Sequence, residues 1–131
     1  MHEINRRAEW VFIVDDNSAV RQALVRLFVE SGFEVCGEAA NGRDAVEKAQ
    51  ELNPGLIIMD LSMPGMNGIE AARNLRQLLP RVRIILLSDY GGMFQHEEVD
   101  SIGVTAIISK AECSSVLLCE ARSLLGCKPA A

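Results

Sequence analysis

Histidine is nearly absent from this chain, and its few cysteines are scattered. Two histidines, with Cys36, Cys113, Cys119 and Cys127 in no CxxC spacing, offer no zinc-binding pattern and point to reduced thiols rather than a disulfide framework. No apolar run approaches the roughly 18 residues of a membrane span. The charged stretch Met1 to Arg7 leads into no apolar core of secretory length, so a cytoplasmic protein with no membrane contact is expected. Basic residues are in the minority: 13 Lys and Arg against 18 Asp and Glu give a net charge of −5, which provides no electrostatic footprint for direct nucleic-acid binding. Gly91-Gly92 has neither the GxGxxG nor the Walker spacing, which argues against a nucleotide site. Internal repeats and low-complexity segments are also missing.

What remains is an ordinary globular composition, 49% hydrophobic and 24% charged over 131 residues, enough for one domain and one core. The chain is organised around Leu56-Ile57-Ile58-Met59-Asp60, an apolar run bounded by the turn former Pro54-Gly55 and by an acid, as a strand buried on both faces would be. Trp10 to Val14 is a second such run, stopped by Asp15-Asp16, with Asn17-Ser18 able to cap a helix. That helix is expected to turn Val20, Ala23, Leu24, Leu27 and Phe28 inward, with Arg21 elsewhere, and to end at Ser31-Gly32. Glu34 to Ala39 alternates in the manner of an edge strand. Ala45, Val46, Ala49 and Leu52 then make a helical stripe closed by Asn53-Pro54, and Ile69, Ala72, Leu75 and Leu79 another, stopped by Pro80. Ile84 to Leu87 and Thr105 to Ile108 are further strands. A short polar helix is expected over 95–101, and a last helix from Glu112 to Leu125 with Val116, Leu117, Ala121 and Leu124 inward and Leu118 and Cys119 outward.

Five strands alternating with five helices specify an α/β fold: a doubly wound, flavodoxin-like five-stranded parallel sheet with right-handed crossovers and helices on both sides. The alternating second strand belongs at an edge, which favours the order 2-1-3-4-5. In a parallel sheet every carboxyl end faces the same way. The residues ending the strands are Asp15 and Asp16, Asp60, Ser88 and Lys110, so they converge on one edge. Three carboxylates there would repel one another without a cation, and a hard divalent ion with oxygen ligands, Mg²⁺, would neutralise them. A hydroxyl and an ammonium beside it suit the oxygens of a phosphoryl group, and the inferred chemistry is phosphoryl transfer to a carboxylate.

The motifs Val14-Asp15-Asp16-Asn17, Met59-Asp60-Leu61-Ser62-Met63-Pro64-Gly65-Met66-Asn67-Gly68, Leu87-Ser88 and Ser109-Lys110 resemble, in order and separation, the receiver domain of a two-component response regulator. The resemblance implies a receiver domain over 9–126, preceded by a segment at 1–8 and followed by a tail at 127–131. It implies Asp60 as phosphoacceptor, Asp16 and Asp60 as direct Mg²⁺ ligands, Asp15 acting largely through water, and the Ser62 carbonyl as a further ligand. Ser88 is the implied hydroxyl that follows the phosphoryl group, and Lys110 its paired cation. The implied partners are a sensor histidine kinase or phosphotransfer protein, a downstream protein, and a second copy of the chain through the fourth helix, fifth strand and fifth helix.

Ile107 stands where the family usually carries an aromatic, Ala111 where proline often follows the lysine, and Tyr90 where side chains affect water access. Ile107 is too short to make the family's aromatic swing, so the response is expected instead in 88–101. The Lys110-Ala111 junction is more like the subfamily with a helix-turn-helix output domain, which these 131 residues do not include. Two other function classes compete with a phosphorylation switch. A Mg²⁺-dependent aspartyl-phosphate phosphatase would need a general acid two residues past the nucleophile, where Ser62 stands. An interaction module without phosphoryl chemistry would have little reason to keep the whole acidic set.

Overall fold

A computed structural model describes residues 9–63, 65, 68–88, 104–110 and 114–125. Its elements are β1 (Trp10–Val14), α1 (Ser18–Glu30), β2 (Glu34–Ala39), α2 (Gly42–Leu52), β3 (Leu56–Asp60), α3 (Gly68–Leu78), β4 (Arg83–Ser88), β5 (Ala106–Ser109) and α4 (Ser114–Leu125). The strands form one parallel sheet in the order β2-β1-β3-β4-β5, with the alternating strand at an edge as its pattern predicts. Four helices lie among the described residues; the short helix expected over 95–101 lies outside them.

Period-two alternation divides the core. Phe12, Val14, Ile57, Met59, Ile84 and Leu86 face one way and pack with Ala45 and Ala49 of α2 and Ala71, Ala72 and Leu75 of α3. Val11, Ile13, Leu56, Ile58, Ile85 and Leu87 face the other way, toward Phe28 of α1 and Leu117 and Ala121 of α4. Strands β1, β3 and β4 are covered on both faces, so their sequences show no polar alternation.

The inward face of α1 matches the expectation at Leu24 and Phe28, with Val20 and Leu27 half-buried, and departs from it at Ala23, Val25 and Arg21. Leu24, Val25 and Phe28 pack on the sheet, Ala23 is exposed, and Arg21 lies on the inward row instead. Gly32, at φ +92, closes a cap in which Phe33 N–H donates to Phe28 O at 2.9 Å and Gly32 N–H to Val29 O at 3.1 Å. This seats the Phe33 ring edge-on against Phe28, with centroids 5.0 Å apart. On α4, Val116 is exposed and Leu118 packs on the core, the reverse of the expected pair. Arg122 of that helix lies 5.5 Å from the Phe33 ring centroid and donates to Ser31 O at 3.3 Å, which joins α4 to the α1 cap.

Between Val11 and Phe12 the pairing of β1 with β2 slips, passing over Cys36. Burial pushes the Cys36 thiol up to about 11, so it is an inert, protonated group. Cys36 and Cys119 are free thiols; Cys113 and Cys127 lie outside the described residues.

Candidate functional site

The carboxyl edge of the sheet brings together the residues that end β1, β3, β4 and β5. Asp15 continues β1: its N–H donates to Ala39 O at 3.1 Å, and its Oδ1 accepts from Asn17 N–H at 2.9 Å. Asn17 in turn caps α1, its Oδ1 accepting from the N–H groups of Ala19 and Val20. The side chain of Asp15 is fully buried, whereas Asp16 is exposed at the mouth.

Asp60 ends β3 and is 4% exposed. Its Oδ1 accepts from Ser62 N–H at 3.2 Å and lies 3.1 Å from Lys110 Nζ, which is also 3.6 Å from Asp15 Oδ2. Lys110 is carried in by pairing at the sheet's end, its N–H donating to Ser88 O at 2.8 Å. Ser88 itself is buried at the end of β4. The loop after Asp60 is anchored by Leu61 N–H on Leu87 O at 2.9 Å and by Met63, buried among the residues under α2 and α3.

Burial raises the Asp60 carboxyl above its ordinary value, helped by the nearby charge of Asp15 and opposed by the hydrogen bonds from Lys110 and Ser62. Carboxylate oxygens of Asp15, Asp16 and Asp60 lie within 4.8 Å of one another, the one group among the described residues with metal-ligating spacing. Asp15 Oδ2 is buried with no hydrogen-bond partner. A crowded, all-oxygen set with an unsatisfied buried oxygen fits a small hard cation such as Mg²⁺, which favours carboxylate ligands and retains waters toward an open mouth.

All the residues expected at this edge are therefore brought to it. Ser62 contributes a backbone N–H to Asp60, and its side chain is exposed. Ile107 is half-buried against the α2 and α3 side of the core. Tyr90 and Ala111 lie outside the described residues. Two residues have a part in the site's construction that no sequence pattern assigned them. Gly68 opens α3 so close to β3 that a Cβ would lie 2.6 Å from Asp60 O and 2.7 Å from Leu61 Cα. Arg21 reaches back from α1 to donate from Nη1 to Asp15 O at 2.7 Å. A signal for Arg21 was present: it stands three, four and seven residues before Leu24, Val25 and Phe28.

A doubly wound sheet with this acidic edge defines a receiver, and residues 11–121 match the response regulator receiver domain family; the chain belongs to it. It is 41% identical over 100 residues to the chemotaxis protein CheY of Thermotoga maritima, covering 76% of this chain and 83% of that protein. It is 34% identical over 117 residues to the transcriptional activator protein ExaE of Pseudomonas putida, covering 88% of this chain but 54% of that longer protein. Among solved structures, CheY in a complex with CheX, BeF3 and Mg²⁺ from Borrelia burgdorferi superposes with a TM-score of 0.81 at 27% identity, over 88% of this chain and 87% of that one. A LuxR-family DNA-binding response regulator from Staphylococcus aureus superposes with a TM-score of 0.81, also at 27% identity, over 89% and 98%. The family placement supports a role in two-component signalling.

Proposed function

We propose that this domain is a Mg²⁺-dependent phosphoacceptor that takes a phosphoryl group from the phosphohistidine of a sensor kinase or phosphotransfer protein onto Asp60, and thereby changes its affinity for a downstream protein. The observation that carries the reading is the Asp60 carboxylate, buried at a strand end, 3.1 Å from Lys110 Nζ and clustered with Asp15 and Asp16. An Asp60 oxygen attacks phosphorus, and the P–N bond breaks with its electron pair left on the donor's imidazole. Asp15, Asp16 and Asp60, with the Ser62 carbonyl, would hold Mg²⁺, which when bound supplies positive charge to the phosphoryl oxygens. Lys110 offers those oxygens a second cation and the Ser88 hydroxyl offers a hydrogen bond. On this reading the domain assists its own phosphorylation and is no turnover enzyme on external substrates. The relatives divide between a chemotaxis protein matched over most of its length and a longer transcriptional activator. Both fit an output made through protein contact, with DNA recognition left to other segments.

Incubation with acetyl phosphate and Mg²⁺ is expected to add one phosphoryl group, seen by intact mass and mapped by peptide fragmentation to the segment containing Asp60. Chelation with EDTA is expected to prevent it. Labelling elsewhere, or labelling indifferent to EDTA, would remove the proposal.

Lys110→Ala separates metal binding from phosphoryl stabilisation. Lys110 touches carboxylates that a metal would also use, so its loss is expected to leave Mg²⁺ affinity, measured by calorimetry, equal or slightly tighter. The rate of phosphorylation at saturating Mg²⁺ should fall by about tenfold, less than the loss of a fully enclosed oxyanion donor, because the side chain is 26% exposed. An unchanged rate would exclude the role given to Lys110.

A further inference from the structure

The described site leaves one matter open: what orients Asp16, whose carboxylate is exposed while that of Asp15 is buried and tied down. The two acids share a peptide bond, and the orientation of that planar unit, together with rotation about the Asp16 N–Cα bond, sets the direction in which the Asp16 side chain leaves the turn. The oxygen of this peptide is Asp15 O, which accepts from Arg21 Nη1 at 2.7 Å. Arg21 is held in turn by its Nε, which donates to Glu38 Oε1 at 2.8 Å, with the Arg21 side chain 17% exposed. Glu38 lies near the end of the edge strand β2, and its carbonyl accepts from Lys48 Nζ of α2 at 3.1 Å. A continuous chain therefore runs from α2 through the edge strand and α1 to the peptide between the two acids.

We propose that Arg21, held by Glu38, is a positioning residue for the acidic pair: it orients the Asp15-Asp16 peptide so that the Asp16 carboxylate is pre-aligned for the cation. The inference rests on the metal-binding reading given above. A guanidinium suits the task because its planar fork binds two acceptors in fixed relative positions, here a carboxylate through Nε and a carbonyl through Nη1. A lysine has the same charge without that geometry. Charge and positioning predict opposite results. As a charge alone, Arg21 would repel a divalent cation, and its removal would tighten binding. As a positioner, its loss lets the peptide turn and loosens binding.

Mg²⁺ titration by calorimetry, which requires no phosphorylation, tests this on the full chain. Arg21→Lys preserves charge and is expected to raise the Mg²⁺ dissociation constant by about tenfold, the low end of the range of about tenfold to a hundredfold over which residues supporting metal ligands act. Glu38→Ala should loosen binding in the same direction. Glu38→Gln still offers an oxygen to Nε and is expected to stay within about twofold of the parent, a rescue that the carboxylate's charge cannot explain. At saturating Mg²⁺, acetyl phosphate should label Arg21→Lys at a rate within about threefold of the parent, because the defect lies in holding the metal. Arg21→Lys with lowered thermal stability but parental Mg²⁺ affinity would show that the contacts only hold α1 to the sheet, and would overturn the proposal. So would Glu38→Gln and Glu38→Ala behaving alike. A parent chain that binds no Mg²⁺ would instead overturn the metal-binding reading, so the two failures are distinguishable.

Discussion

Asp60→Asn is expected to abolish phosphoryl labelling and, in metal-free buffer, to make the protein more stable. The amide is nearly isosteric but has no nucleophilic carboxylate oxygen, so acetyl phosphate with Mg²⁺ should leave its intact mass unchanged. The gain in stability follows from crowding. In the absence of metal, burial and the neighbouring Asp15 both disfavour the ionised form of Asp60, a cost that an amide does not carry. Lys110 keeps a carboxylate nearby in the variant, since its Nζ is also 3.6 Å from Asp15 Oδ2. A rise of about 3–6 °C in the metal-free unfolding midpoint is expected, the shift that roughly 1 kcal/mol produces in a domain of this size.

The pH dependence has a definite sign. The folded carboxyl is raised above its ordinary value of 3.8, so the native state binds this proton more tightly than the unfolded chain. The resulting stability is complete below the unfolded value and is lost as pH rises through the folded one. The parent should accordingly lose stability across that window relative to Asp60→Asn, and the difference between their melting curves should grow with pH and then level off. Mg²⁺ should narrow or reverse the order at neutral pH, because the parent, with all three carboxylates, binds it more tightly than the variant. A variant that still takes the label would move the acceptor elsewhere, and a less stable metal-free variant would contradict the account of crowding.

Gly68→Ala should be the most damaging single-methyl change near the site. The new Cβ would lie 2.6 Å from Asp60 O, 2.7 Å from Leu61 Cα and 3.0 Å from Leu61 O, all of them backbone, so no side chain can turn aside to make room. The start of α3 and the end of β3 must separate, at the expense of the bond from Gly68 N–H to Leu61 O at 2.8 Å. Overpacking of this kind costs about 1–3 kcal/mol, only partly offset by the better helix propensity of alanine. The displaced atoms belong to the phosphoacceptor's own peptide, so labelling by acetyl phosphate should slow by about tenfold to a hundredfold, as small misplacements of reacting groups do. Gly65→Ala is the control. Gly65 has φ +79 and open space where a Cβ would go, so alanine there brings backbone strain of about 1–2 kcal/mol and little displacement of Asp60. Equal labelling rates in the two variants, measured on folded protein, would show that the close approach at Gly68 does not set Asp60.

The candidate site was legible because of a property of parallel sheets rather than of any single residue. Asp15, Asp16, Asp60, Ser88 and Lys110 each end a recognisable apolar run, and parallel topology sends all such ends to one edge. The edge position of β2 was also legible, since Glu38 lies within it, whereas β3 and β4 carry charged residues only at their ends and β1 carries none.

Helix rotation was harder to read. In α1, Ala23 and Leu27 fit a helical stripe as well as Val25 does, and periodicity could not choose between neighbouring faces. In α4 the same ambiguity exchanged Val116 with Leu118. By itself the sequence determined the order of elements, the burial of the central strands and the convergence of three acids, a hydroxyl and a lysine, because these follow from local periodicity and from the direction in which parallel strands run. Only the tertiary structure decided that Val25 and Arg21, rather than Ala23, lie on the inward side of α1, because neighbouring faces of one helix satisfy the same periodicity. With that rotation came the contact of Arg21 with Asp15 and Glu38, residues 6 and 17 positions away along the chain, which no local pattern could bring together.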